Sequence, residues 1–167
     1  MKSLRRIHRA PGFSLLELAV VIVITASLLA VALPRYRDAQ RYARTATLDN
    51  MALLMIQAVD QFHWQCLAAQ TRDLREDCHE VRVGLWLVRG ELGYPQAGLD
   101  GIGRLVGLVP GEPAADQFRV ETTRQHGQAG LKVSLRHADN GTCELVYLAP
   151  AGVGQRPEIT VLQSTCS

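Results

Sequence analysis

The sequence predicts an α+β protein: a long N-terminal helix, kinked near its middle and packed on a small antiparallel β-sheet head. Three observations predict it. An apolar run fills residues 18–33, broken only by Thr25 and Ser27. Residues 35–66 then contain neither Gly nor Pro. Short, partly alternating strand patterns follow from residue 118 onward. Helix first and strands after is the order of an α+β arrangement.

The chain has 167 residues, enough for one modest domain plus an accessory segment. Its formal charge of +2 is unevenly distributed. Lys2, Arg5, Arg6 and Arg9 give the first twelve residues four basic groups and no acid, leaving 14 basic residues against 16 acidic ones elsewhere. This basic leader points to retention of the N-terminus in the cytosol, not to nucleic-acid binding. Arg35, Arg37, Arg41 and Arg44 follow the apolar run, so charge alone does not settle the topology. All four cysteines (Cys66, Cys78, Cys143, Cys166) also lie beyond the run. An even count there suits an oxidising compartment.

The first element is the apolar segment. Residues 13–33 span roughly 32 Å as helix at ~1.5 Å per residue, enough for a ~30 Å hydrocarbon core. Length alone allows a plain anchor. A secretory signal is a second reading, with its core at 18–29 and Ala30-Val31-Ala32 as a small-residue cleavage site. It leaves Glu17 in an unusually long n-region. The third reading rests on a resemblance to a known family, and Pro11-Gly12 agrees with it, since a helix-breaking pair leaves the next bond extended and open to a protease. Ser14 to Glu17 is also an S-x-x-E capping box, able to satisfy backbone donors at a helix start.

Basic leader, Gly12, Phe13 and then SLLELAVVIVI resemble the N-terminus of type IV prepilins and pseudopilins. The resemblance implies that a prepilin peptidase cuts between Gly12 and Phe13 and methylates the new amine of Phe13. It implies that Glu17, fifth residue of the mature chain, meets the Phe13 amine of a neighbouring subunit during assembly. A carboxylate at membrane depth costs on the order of 2.5 kcal/mol or more, which a nearby ammonium offsets. The implied partners are other pilin subunits, an inner-membrane assembly platform with its cytoplasmic ATPase, and an outer-membrane secretin. The implied location is the bacterial inner membrane with a periplasmic head, then an extracellular pilus or periplasmic pseudopilus.

Pro34 removes one helical hydrogen bond and tilts the axis. Helix-compatible sequence resumes at once, so one kinked helix over residues 13–66 is expected, roughly 80 Å long at ~1.5 Å per residue. The resemblance implies local melting at Pro34 on assembly. In its second half Leu48, Ala52, Met55, Val59, Phe62 and Cys66 alternate spacings of four and three, one stripe for packing on a sheet. The arginines at 35–44, interleaved with Tyr36 and Tyr42, read as a solvated or headgroup-facing surface.

Residues 70–80 read as a charged loop or broken helix. Residues 81–88 are ambiguous between strand and helix. Gly93-Tyr94-Pro95 reads as a turn, and 98–111 as glycine-spaced loop. Gly98, Gly101 and Gly103 lack the Lys-Ser/Thr of a phosphate loop. Strands are expected at 118–123, 131–136, 142–148 and 158–162, with Asp139-Asn140-Gly141 as a tight hairpin turn. The sequon at Asn140 is explained by that turn.

The four cysteines allow three pairings. The expected set is Cys66–Cys78, tying the helix end to the next loop, and Cys143–Cys166, clamping the C-terminal tail to a strand. The second is similar to the disulfide-bounded region of many type IV pilins, whereas the first departs from the commonest ones. Zinc is a rival use of His63, Cys66, Cys78 and His79, but adjacent ligands chelate awkwardly. His8, His126 and His137 have no recognisable partner, and no Ser or Cys lies in a nucleophile motif. No enzyme, metal or cofactor is expected.

The expected organisation is a leader at 1–12, a transmembrane and assembly segment at 13–34, an amphipathic half-helix at 35–66 and an α+β head at 67–167. The expected role is that of a structural subunit, major or minor, of a type IV pilus serving adhesion, motility or DNA uptake. A type II secretion pseudopilin is one rival; a tip subunit binding DNA or a surface is another.

Overall fold

The computed structural model describes residues 14–71, 78–136 and 143–162. Helix α1 runs from Leu15 to Gln70 and continues through Pro34. It extends four residues beyond Cys66. By contacts the chain forms two compact units, one ending at Gln40 and the other starting at Arg41.

In the first unit α1 is exposed on every side. Leu15, Leu18, Ile22, Val23, Leu28 and Val31 all face outward. Two hydroxyls in this stretch bond within the helix. Thr25 Oγ1 donates toward the Val21 and Ile22 carbonyls at 2.8 and 3.0 Å, and Ser27 Oγ donates to the Ile24 carbonyl at 2.7 Å. Neither group therefore needs water.

In the second unit α1 buries one stripe: Leu48, Met51, Met55, Ala58, Val59, Phe62 and Cys66. Ala52 is partly buried beside it. The strands form two sheets, where the sequence suggested one meander. Strands β1 (Glu80–Val83), β2 (Trp86–Glu91) and β3 (Tyr94–Pro95) make an antiparallel sheet in that order. Strands β4 (Phe118–Gln125), β5 (Gln128–Leu135), β6 (Glu144–Leu148) and β7 (Glu158–Leu162) make a sequential four-stranded sheet, also antiparallel.

Register explains the larger core. Val120, Val133, Leu145 and Val161 fall in one cross-strand row, and Leu131, Tyr147 and Ile159 in the next. Both rows belong to the apolar cluster that includes Leu48, Met51, Met55 and Val59 of α1. Alternation puts Glu121, Lys132 and Thr160 on the other face. There Lys132 Nζ lies 3.1 Å from Glu121 and 3.3 Å from Glu144, and both partners raise its pKa, Glu121 first.

Several local expectations change. The ambiguous 81–88 segment is a hairpin turning at Gly84 and Leu85, with Val81 and Val83 buried and Arg82 exposed. Tyr94 and Pro95 form a strand; the turn precedes them at Leu92 and Gly93, both in the left-handed region at φ 54° and 83°. The 98–111 segment opens with a kinked turn, Leu99–Gly103, whose backbone leaves helical geometry at Gly101. Gly101 is required there, because a Cβ would run into the Gln96 carbonyl. A short helix α2 (Pro113–Gln117) then leads into β4. β4 and β5 turn at His126 and Gly127, φ 51° and 83°, a two-residue hairpin that lacks the usual Asn-Gly or Asp-Gly pair. The Asp139-Asn140-Gly141 turn lies outside the described residues.

Candidate functional site

The residues singled out at the N-terminus gather at the start of α1. Ser14 precedes the helix, and its Oγ accepts from the Glu17 backbone N–H at 3.1 Å. The Ser14 carbonyl accepts from Leu18 N–H at 3.1 Å. One half of the capping box is thus formed, through the backbone of residue 17 and not its side chain. Among the described residues no group pairs with the Glu17 carboxylate. Gly12, Phe13 and the leader lie outside the described residues. Among the described residues, α1 is a helix long and apolar enough to cross a membrane.

The first disulfide is present. Cys66 and Cys78 are bonded, with Cα atoms 5.5 Å apart, and both are almost completely buried. The zinc alternative falls with it, because the bond consumes both thiolates. His63 has a different role. Its Nδ1 lies 2.9 Å from the Gly93 carbonyl, and its ring stacks on Tyr94 at 4.4 Å and 5°. Cys143 is also disulfide-bonded and fully buried; Cys166 lies outside the described residues.

Tyr147 is a residue whose role the sequence did not signal. Its hydroxyl donates to the Pro95 carbonyl at 2.6 Å, joining the two sheets through a wholly buried bond. Burial, and secondarily the neighbouring Tyr94, push its phenol pKa well above the usual range. Only the long-range approach of β6 to β3 brings these groups together.

The head also offers surface concavities. One of about 460 Å³ is lined by His79, Glu80, Arg89, Gly90, Glu91 and Gln96. Another of about 300 Å³ lies between α1 and β7, lined by Ile56, Val59, Asp60, Arg156, Pro157 and Ile159, with Arg156 and Asp60 ion-paired at its rim. Outside the buried stripe of α1, Leu53 and Trp64 are exposed on the opposite side, and Leu54 and Ile56 on its flanks. The exposed apolar side chains of both units are suited to packing, and those of the first unit to lipid as well.

A family model described as the prokaryotic N-terminal methylation motif matches residues 7–33, across the Gly12–Phe13 junction and the apolar run. Motif, apolar helix and sheet-bearing head together support the type IV pilin family. The chain is 50% identical over 44 residues to the type IV narrow pilus major component PilA5 of Thermus thermophilus. That match covers 26% of this chain and 38% of the relative, well under two thirds of the relative's length. No solved structure matches the chain.

Proposed function

We propose that this chain is a structural subunit of a type IV pilus, cut after Gly12, methylated at Phe13 and assembled through the apolar part of α1. The observation that carries the reading is a lone carboxylate, Glu17, near the start of an exposed apolar helix inside the methylation-motif match. An acid at such a position is costly in hydrocarbon unless a cation meets it. Processing supplies one, since cleavage before Phe13 creates an amine four residues upstream. On a neighbouring subunit that amine is the complementary charge for Glu17.

In this reading residues 1–12 are removed by the prepilin peptidase, 13–34 hold the subunit in the inner membrane and later pack in the filament, and the head stands outside. Pro34, which lacks the N–H of a helical bond, is the place where α1 can loosen on assembly. The assembly platform, its ATPase and a secretin are the accompanying machinery. The role is mechanical, not catalytic. The similarity to a pilus component favours a pilus over a secretion pseudopilus.

N-terminal sequencing of membrane-extracted protein tests this directly. The mature chain should begin at Phe13, with the amine methylated. A start at residue 33, after Ala30-Val31-Ala32, would establish ordinary signal-peptide removal and end the pilin reading.

A further inference from the structure

Among the described residues the head has two apolar cores of unequal size. The larger joins α1 to the four-stranded sheet. The smaller consists of Phe62, Cys66, Cys78, Val81, Val83 and Val88, with Leu105 packed against it. Two of its six buried members are the halves of one disulfide. Among the described residues, α1 contributes Phe62 and Cys66 to it. Three valines facing one ring are a thin basis for holding the β1–β2 hairpin, whose further strand in the sheet, Tyr94–Pro95, pairs only with the last two residues of β2.

The contacts around the bond depend on one another. Cys78 sits at φ 58°, a left-handed conformation that an L residue keeps only when its surroundings enforce it. Its carbonyl and the Phe62 ring close over Gly90, leaving no room for a Cβ. Gly90 N–H donates to the His79 carbonyl at 2.8 Å, next to the bonded cysteine. Releasing Cys78 from Cys66 therefore removes what holds the start of β1 against α1. The larger core has no such dependence on this bond. It meets the first sheet at β3, through Tyr94 and the Tyr147–Pro95 bond, and β3 in turn pairs with the end of β2 at Gly90 and Glu91.

We infer that Cys66–Cys78 is an oxidation-dependent latch: the β1–β2 hairpin becomes ordered on α1 only once the bond forms, while α1 and the four-stranded sheet pack without it. Closure is a thiol–disulfide exchange. The two cysteine thiols give up two protons and two electrons to an exogenous disulfide; its S–S bond breaks, it leaves as two thiols, and the Cys66–Cys78 bond forms. The latch governs a specific surface. The hairpin tip carries Leu85, 97% exposed, beside the half-exposed Trp86 and Leu87. This apolar tip is held in fixed geometry only in a compartment oxidising enough to close the bond.

Hydrogen–deuterium exchange on the full chain in detergent tests the latch, comparing the oxidised protein with Cys66→Ala/Cys78→Ala. Amides of residues 80–91 should lose protection on the order of a hundredfold, the effect expected when a loop of this length is no longer closed. Amides of Leu131, Val133, Leu145 and Tyr147 should stay protected. A hairpin that keeps its protection would overturn the inference. So would loss of protection in β5 and β6 as well, which would make the bond a staple of the whole head. Cys66→Val/Cys78→Ala restores lost volume without a bond. Recovery of hairpin protection in that variant would assign the order to packing and equally overturn the latch.

Discussion

Replacing Tyr147 with phenylalanine removes one oxygen from a fully buried side chain and leaves its ring packing in place. The lost bond is the 2.6 Å contact to the Pro95 carbonyl, and that carbonyl remains buried without the donor. An unmet buried acceptor costs about 1–3 kcal/mol, which is the expected destabilisation near pH 7. The same oxygen predicts a pH dependence. Burial holds the folded phenol's pKa far above the unfolded value of about 10. Above pH 10 the unfolded chain releases this proton and the folded chain keeps it. The stabilisation is thus complete below pH 10 and declines as pH rises, by about 1.4 kcal/mol per unit. The Tyr147→Phe variant has no phenolic proton to release, so the gap between the two proteins should close roughly one to two units above pH 10. Lys132, whose pKa is raised by Glu121 and Glu144, loses stabilisation in a neighbouring alkaline window. It does so in both proteins and cancels in the difference. The assay is denaturant unfolding of the detergent-solubilised chain from about pH 7 to 11, followed by the fluorescence of Trp64 and Trp86, with equal m-values as the check on two-state comparison. A gap that stays constant with pH, or that is absent at pH 7, would refute the assignment of the Tyr147 hydroxyl as the tie between the sheets.

Two further substitutions probe other links. Gly90→Ala places a methyl group against the Phe62 ring and the Cys78 carbonyl. It should destabilise the head by about 1–3 kcal/mol and slow closure of Cys66–Cys78, measured by denaturant titration and by the rate of thiol loss on oxidation. Glu17→Gln leaves the backbone N–H that Ser14 caps untouched, so processing and membrane insertion should be normal while sheared-filament yield falls. Normal yield with complete processing would leave helix capping as the sole role of residue 17.

The helix was legible because its signals are local. The spacing of Leu48, Met55, Val59, Phe62 and Cys66 marks a single helical face whatever lies opposite, and all five are buried. The four-stranded sheet was legible for the same reason. β4, β5 and β7 alternate in part, β6 is a short apolar run buried along its length, and the 158–162 strand has the expected bounds. The hairpin at 81–88 was harder: Leu85, Trp86 and Leu87 are exposed at its tip, so apolar residues there do not mark an inner face. His126-Gly127 was missed because a histidine rarely signals a left-handed turn, and the neighbouring strands impose it.

By itself the sequence determined the parts of this protein that depend on short-range order: a basic leader, a Gly-Phe junction, an apolar helix with one acid, and an apolar stripe repeating every three or four residues. These features are set by spacing along one chain segment, and they carry the resemblance to pilins. The tertiary structure bore out the expected Cys66–Cys78 pair, and it alone decided why Tyr94 and Pro95 extend a sheet instead of turning and where the Tyr147 hydroxyl finds its acceptor. Each of those outcomes pairs groups brought together by the register of one strand against another or by the packing of a loop on α1. A buried hydroxyl must find an acceptor wherever the fold supplies one. No pattern around Tyr147 points to Pro95, 52 residues away.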